Sequence, residues 1–212
     1  GNGVQAASGV ANGWEIDPLE LPDAGRLVAQ ATGGLYLMSV GGAFNVLQAV
    51  SHDGDLSMGT RDSGLHGEVL STLATGTDVF GQTIAGGVIS ADGDIHLDVG
   101  DGLTVVEGSG LLAGGAILVE MDSQETEPEP NPDPGSGGTI DISGQISATS
   151  ARMLGGDDLD FFQVRTALDG GSVTMEGAGA DDRFFVSASG GGFTLAGGEG
   201  ADRFYIAGNA HK

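Results

Sequence analysis

One short word recurs through this chain at a nearly fixed step: apolar-x-apolar, with a glycine close ahead of it. It reads Leu35-x-Leu37, Leu56-x-Met58, Ile95-x-Leu97, Ile117-x-Val119, Ile140-x-Ile142, Val173-x-Met175 and Phe193-x-Leu195. The step is 21 residues from Leu35 to Leu56, 22 from Ile95 to Ile117, 23 from Ile117 to Ile140 and 20 from Val173 to Phe193. Steps of 39 and 33 break the series, and an extra strand, Leu103-Thr104-Val105-Val106, fits between two members. Alternation of apolar and polar positions means a strand with one face buried. The glycines supply tight corners. Short strands at one period bury their apolar faces by stacking each repeat on the next, which is the logic of a solenoid.

The expected fold is therefore all-β: a parallel β-helix or β-roll solenoid with roughly 20–22 residues per coil and two or three strands in each. Eight to ten coils, about 4.8 Å apart, would make a body about 40–50 Å long. An antiparallel sandwich also shows short strands at regular spacing. Glycine at 41 of 212 residues favours the solenoid, since sandwiches rarely need so much. Without a strict Gly-X-Y period that glycine is not collagen.

Three regions are expected. Residues 1–30 read as an irregular first coil or cap, with Trp14 placed to cover the open end of the core. Residues 31–154 read as β-helix coils. They are interrupted at 122–138, "DSQETEPEPNPDPGSGG", where four of six prolines sit among Asp122, Glu125, Glu127, Glu129 and Asp133. Proline removes ladder donors and like charges repel, so this insertion reads as an exposed, extended loop. Residues 155–212 read as β-roll-like coils with Asp/Gly turns. The whole reads as a segment of a longer polypeptide.

Charge narrows the partners. Thirty Asp and Glu face seven Lys and Arg, a formal charge of -23. Nucleic acid demands Lys and Arg to displace phosphate counterions, and an anionic membrane surface would repel such a chain. No apolar run approaches a membrane span, so no membrane insertion is expected. Divalent cations or a salty exterior suit the balance. Cysteine is absent, which excludes disulfides and thiolate metal sites.

The acidic residues crowd into three related stretches, "LGGDDLDFFQV" (154–164), "GAGADDRFFV" (177–186) and "GGEGADRFYI" (197–206). Aligned on the following strand, Phe162, Phe184 and Phe204 fall together, as do Val164, Val186 and Ile206. Asp160, Asp182 and Asp202 end the turns, while Gly155, Gly177 and Gly197 begin them. Val173 matches Phe193, Met175 matches Leu195, and Thr174 and Thr194 point outward between them. Arg183 and Arg203 also align, and are expected to pair with neighbouring aspartates. Aspartate rows at about 5 Å repel, and a hard cation between turns would relieve them. Ordinary solvated corners also carry Asp and Gly.

These stretches carry a resemblance. "GGEGADRFY" (197–205) is similar throughout to the nonapeptide G-G-x-G-x-D-x-U-x of calcium-binding repeats of the repeats-in-toxin type. "GGDDLDFFQ" (155–163) departs only in Asp158 at the fourth-position glycine. "GAGADDRFF" (177–185) leaves either Asp181 or Asp182 as the motif aspartate. The resemblance implies Ca2+ between successive turns, held by Asp160, Asp182 (or Asp181) and Asp202 with turn carbonyls. Asp157, Asp158, Gly198 and Gly200 complete the candidate metal set. Only one edge is so equipped, since the opposite turns hold at most Asp169.

Upstream, "SADGDIHLDVGDGLTVVEGSGLLAGGAILVE" (90–120) and "GTIDISGQISATS" (138–150) resemble the β-helical segments of large bacterial haemagglutinin-like surface adhesins. That resemblance implies export to the bacterial surface and a structural role. Catalysis is not expected. Lys212 is the one lysine, His52, His66 and His96 lack metal-ligand spacing, and no nucleophile elbow occurs. The expected partners are neighbouring repeats or identical subunits end to end. The alternative is a noncatalytic calcium-binding repeat region of an exported carbohydrate-active enzyme.

Overall fold

A computed structural model describes residues 26–39, 42–60, 68–77, 81–85, 87–122, 137–166, 168–188 and 191–207. Trp14, His66, Lys212 and the body of the acidic insertion lie outside the described residues. The first strands are β1 (Leu27–Ala31), β2 (Leu35–Ser39), β3 (Phe44–Ser51), β4 (Leu56–Thr60) and β5 (Val69–Thr72). A hairpin follows, β6 (Thr75–Thr77) and β7 (Thr83–Ala85). Next come β8 (Val88–Ala91), β9 (Ile95–Val99), β10 (Gly102–Val105), β11 (Gly110–Ala113) and β12 (Ala116–Met121). After the insertion come β13 (Thr139–Ile142), β14 (Gln145–Ser147), β15 (Ser150–Leu154), β16 (Phe161–Val164) and β17 (Leu168–Asp169). The last are β18 (Ser172–Ala178), β19 (Arg183–Val186), β20 (Gly192–Gly198) and β21 (Arg203–Ile206). No helix occurs among the described residues.

The molecule is all-β and its main sheets are parallel. One sheet runs β2-β4-β9-β12-β15-β18-β20. The other divides at the long strand β3. The first half of β3 pairs with β5 and leads through β10, β13, β16 and β19 to β21. Its second half pairs with β8 and leads through β11 and β14 to β17. From β8 to β18 the chain visits the second arm, the separate sheet and the first arm in strict rotation. Antiparallel pairing occurs at the β6–β7 hairpin.

Like side chains line up because the strand period is two and the register does not slip between these strands. In the first arm Phe44, Leu70, Leu103, Ile140, Phe162, Phe184 and Phe204 form one column. In the separate sheet Leu37, Met58, Leu97, Val119, Met153, Met175 and Leu195 form another. Ala49, Ile89, Leu111, Ile146 and Leu168 run down the second arm. Most of these side chains are fully buried. Each fully buried Val, Leu, Ile, Met or Phe contributes about 1.5–3 kcal/mol relative to exposure. Thr72 stands in a column of valines and isoleucines, and its hydroxyl is satisfied there by Ser109 and by the Val106 N–H. Without those partners a buried hydroxyl would cost stability.

One expectation changes. Ile140-x-Ile142 does not continue the Ile117 series. It pairs with Leu103–Val105 and Phe162–Val164 in the first arm, while Ile117 pairs with Ala151. All three kinds of strand carry the same apolar word, so spacing alone assigned this one to the wrong ladder. Leu103–Val105 is accordingly a full member of the first arm. The separate sheet has seven strands among the described residues. The hairpin and the insertion lengthen two of its passes.

Candidate functional site: the stacked acidic corner

Each strand of the first arm from β5 onward is preceded by a corner residue. In order these are Glu68, Asp101, Gly138, Asp160, Asp182 and Asp202. Glu68, Asp160 and Asp182 are buried. The column is tied together by its own carboxylates. Gly138 N–H donates to Asp160 Oδ1 at 2.8 Å, Asp160 N–H to Asp182 Oδ1 at 2.8 Å, and Asp182 N–H to Asp202 Oδ1 at 3.0 Å. Upstream, Glu68 N–H donates to Asp101 Oδ2 at 2.8 Å. Each aspartate thus reaches back one repeat and satisfies a corner N–H that lies outside the strand ladder.

The aligned glycines follow from this. A Cβ on Gly155 would lie 2.0 Å from Asp160 Oδ2, one on Gly177 1.8 Å from Asp182 Oδ2, and one on Gly197 1.9 Å from Asp202 Oδ2. The carboxylate of each turn folds onto the Cα that opens it, so only glycine fits there. The register also decides the motif aspartate of the second turn. Asp182 occupies the column with Asp160 and Asp202. Asp181 is exposed, and its Oδ1 accepts from Ala201 N–H at 2.8 Å. Ala178 and Ala180, with φ of 75° and 61°, take the left-handed backbone that Gly198 and Gly200 take in the third turn. Gly198 and Gly200 pack against the Ala178 and Ala180 carbonyls, leaving no space for a side chain. Asp157 is exposed and Asp158 half-buried.

Burial raises the inner carboxyls. Asp160 is pushed up to about 7, chiefly by burial, against the opposing pull of the Gly138 and Gly156 N–H groups; the charges of Asp182 and Asp122 add to the rise. Asp182 is pushed up to about 6, again by burial first, with Asp202 and Asp181 adding and the Asp160 N–H opposing. Asp160 has both oxygens engaged, since Gly156 N–H donates to Oδ2 at 2.8 Å. Asp182 Oδ2 is buried with no hydrogen-bond partner among the described residues. The Gly197 carbonyl crowds the same space, because the Gly177 Cβ position lies 2.7 Å from it and 1.8 Å from Asp182 Oδ2.

These positions fit calcium in part. Calcium takes six to eight oxygens. Among the described residues no three His, Asp or Glu side chains gather to hold a metal. Asp160 is committed to backbone N–H groups. The step from the second turn to the third offers Asp182 Oδ2 and the Gly197 carbonyl, with water required for the remainder.

Asp122 belongs beside this corner, not with the insertion in which the sequence placed it. It is buried, has φ of 53°, and its carboxylate sits where a Cβ on Gly156 would be. Asp55 and Asp94 form a second acidic ladder at the corner before β4 and β9, running the other way. Asp94 N–H donates to Asp55 Oδ1 at 2.9 Å and Ala116 N–H to Asp94 Oδ1 at 2.7 Å. The acids in "GEVL" (67–70) and "GDGLTVV" (100–106), each just before a strand, were the available signals for Glu68 and Asp101. Among the described residues Arg152 pairs with Glu176 and Arg165 with Asp141, and His96 Nε2 hydrogen-bonds Glu120 Oε2 at 2.6 Å; Arg183 and Arg203 do not take the aspartate partners expected of them.

The chain matches no protein-family model, no curated protein and no solved structure.

Proposed function

We propose that the chain is a structural module of a secreted or cell-surface bacterial adhesin or extracellular filament. Its three ladders wind into one parallel β-helix, a rigid rod with a mechanical role. The observation that carries this reading is the parallel register of like side chains, which runs without a shift from β8 to β21. Backbone bonding and apolar contact then continue in one direction, so stiffness accumulates with each repeat. The strong acidic balance supports an exterior rich in divalent cations. Calcium, when bound at the second and third turns, would neutralise the corner. Asp182 Oδ2 and the Gly197 carbonyl would hold it, and it would add stability by binding only the folded chain.

The experiment is small-angle scattering combined with thermal unfolding of the 212-residue chain in chelator, magnesium and calcium. Seven stacked strands at about 4.8 Å predict an ordered stem about 30 Å long with a constant cross-section. Calcium is expected to raise the unfolding midpoint where magnesium does not. A scattering profile without a constant cross-section removes the rod. Identical midpoints in the three buffers remove calcium and leave the rod standing.

A further inference from the structure

Positions 183 and 203 are paired strand neighbours on the outer face of the first arm, and both are arginine. Both are exposed and neither makes an ion pair among the described residues, although the chain is crowded with carboxylates. Like charges directly opposite one another on adjacent strands are destabilising. An anion between them removes that cost, and paired guanidinium forks suit the planar carboxylate.

Rings run alongside on the same face. Phe185 packs on Phe161 with centroids 5.1 Å apart and stacks on Tyr205 at 4.3 Å. Tyr205 remains 48% exposed. A ring with an apolar body and a polar tip matches a sugar, which also presents apolar C–H faces and hydroxyls.

We propose that this face, at Arg183, Arg203, Phe185 and Tyr205, binds a glycan through an isolated carboxylate-bearing sugar. The inference deepens the reading of an extracellular rod, and rests on it for the compartment in which such a glycan is met. A net charge of -23 repels a polyanion more than a single carboxylate on a neutral glycan, which meets the two arginines with Asp181, Asp182 and Asp202 as their neighbours in sequence. β19 is paired on both sides, while β21 pairs only with β19 among the described residues, so a peptide could extend the sheet at β21 alone, and the acidic peptide probe below reads that mode.

The test is calorimetric titration of the 212-residue chain at about 0.15 M salt. The probes are a neutral oligosaccharide capped by one sialic acid, its carboxyl-reduced form, a polyuronate and an acidic peptide. The sialylated probe is expected to bind. Reduction of its carboxyl, Arg183→Gln and Arg203→Gln should each weaken binding about tenfold. Tyr205→Ala should weaken it too, and neither arginine variant should lower the unfolding midpoint of the unliganded chain, since each removes one of two opposed like charges. No binding of the sialylated probe, equal binding after carboxyl reduction, tighter binding of polyuronate or peptide, or undiminished binding by the double arginine variant would each overturn the inference. A normal scattering profile alongside any of these leaves the rod reading intact.

Discussion

Asp182 and Asp160 occupy equivalent corners but differ at one atom. Asp160 Oδ2 accepts the Gly156 N–H, whereas Asp182 Oδ2 has no hydrogen-bond partner among the described residues and shares its space with the Gly197 carbonyl. Asparagine reads this difference. In Asp182→Asn the side-chain NH2 can stand at the Oδ2 position and donate to Gly197, while Oδ1 keeps the Asp160 N–H. The expected outcome in chelator at pH 7.5 is a gain of about 1–3 kcal/mol in urea unfolding. In Asp160→Asn the same NH2 confronts the Gly156 N–H, donor against donor, and the expected outcome is a loss of similar size. Equal losses in both variants would show that Asp182 Oδ2 has a partner after all. The second turn allows an independent check of backbone strain. Ala178 and Ala180 sit in left-handed backbone, which costs an L-residue about 1–2 kcal/mol. Glycine relieves that cost and gives back about 0.5–1 kcal/mol in chain entropy. Ala178→Gly and Ala180→Gly should each stabilise by about 0.5–1 kcal/mol in the same unfolding assay.

A strand in this molecule is held by the strands above and below it, so its stability depends on its place in the ladder. Phe184 is fully buried, its ring stacked 4.8 Å from Phe162 and 4.9 Å from Phe204. Phe204 has one such neighbour and remains 45% exposed. Phe184→Ala should therefore cost about 3–5 kcal/mol and Phe204→Ala clearly less, measured by denaturant midpoint at constant slope. Equal costs would mean that the last strand is covered by something outside the described residues. Ladder membership also marks how far the sequence could be read. The stacked phenylalanines, the aspartate column and the turn glycines were legible because three copies recur within a few dozen residues and differ little. Ile140 was misplaced because an apolar word states that a strand has a buried face and says nothing of which ladder it joins. Glu68 and Asp101 escaped notice because their turns lack the glycine pattern that made the later aspartates stand out. Asp122 escaped because it begins an acidic, proline-rich stretch and reads as part of it. Its burial against Gly156 is a tertiary contact with no local sequence signature.

For the whole molecule, the buried corner makes stability depend on pH in a sense opposite to ordinary acid unfolding. Unfolded aspartates titrate near 3.9, while native Asp160 is pushed up to about 7 and Asp182 to about 6. Between these limits the native chain holds protons that the unfolded chain has released, so stability falls as pH rises. The contribution is fully present below about pH 4 and is lost as pH rises through 6 to 7. Glu176 works the other way, since its hydrogen bond to Arg152 holds it below its ordinary value, but that pair is on the surface and contributes little. Surface repulsion in a chain of -23 also grows as carboxyls ionise, so salt must separate the two sources. At about 1 M salt the Debye length is about 3 Å, and exposed charges no longer repel one another appreciably. The unfolding midpoint at pH 5 should exceed that at pH 8 in both low and high salt, and the difference should shrink in Asp182→Asn. A difference that vanishes in high salt would assign the pH dependence to the surface and leave the corner carboxyls ionised throughout. Calcium links to the same equilibrium, because an ion at Asp182 Oδ2 displaces the proton held there. Its stabilising effect should be larger at pH 8 than at pH 5, and an effect independent of pH would place the ion away from this corner.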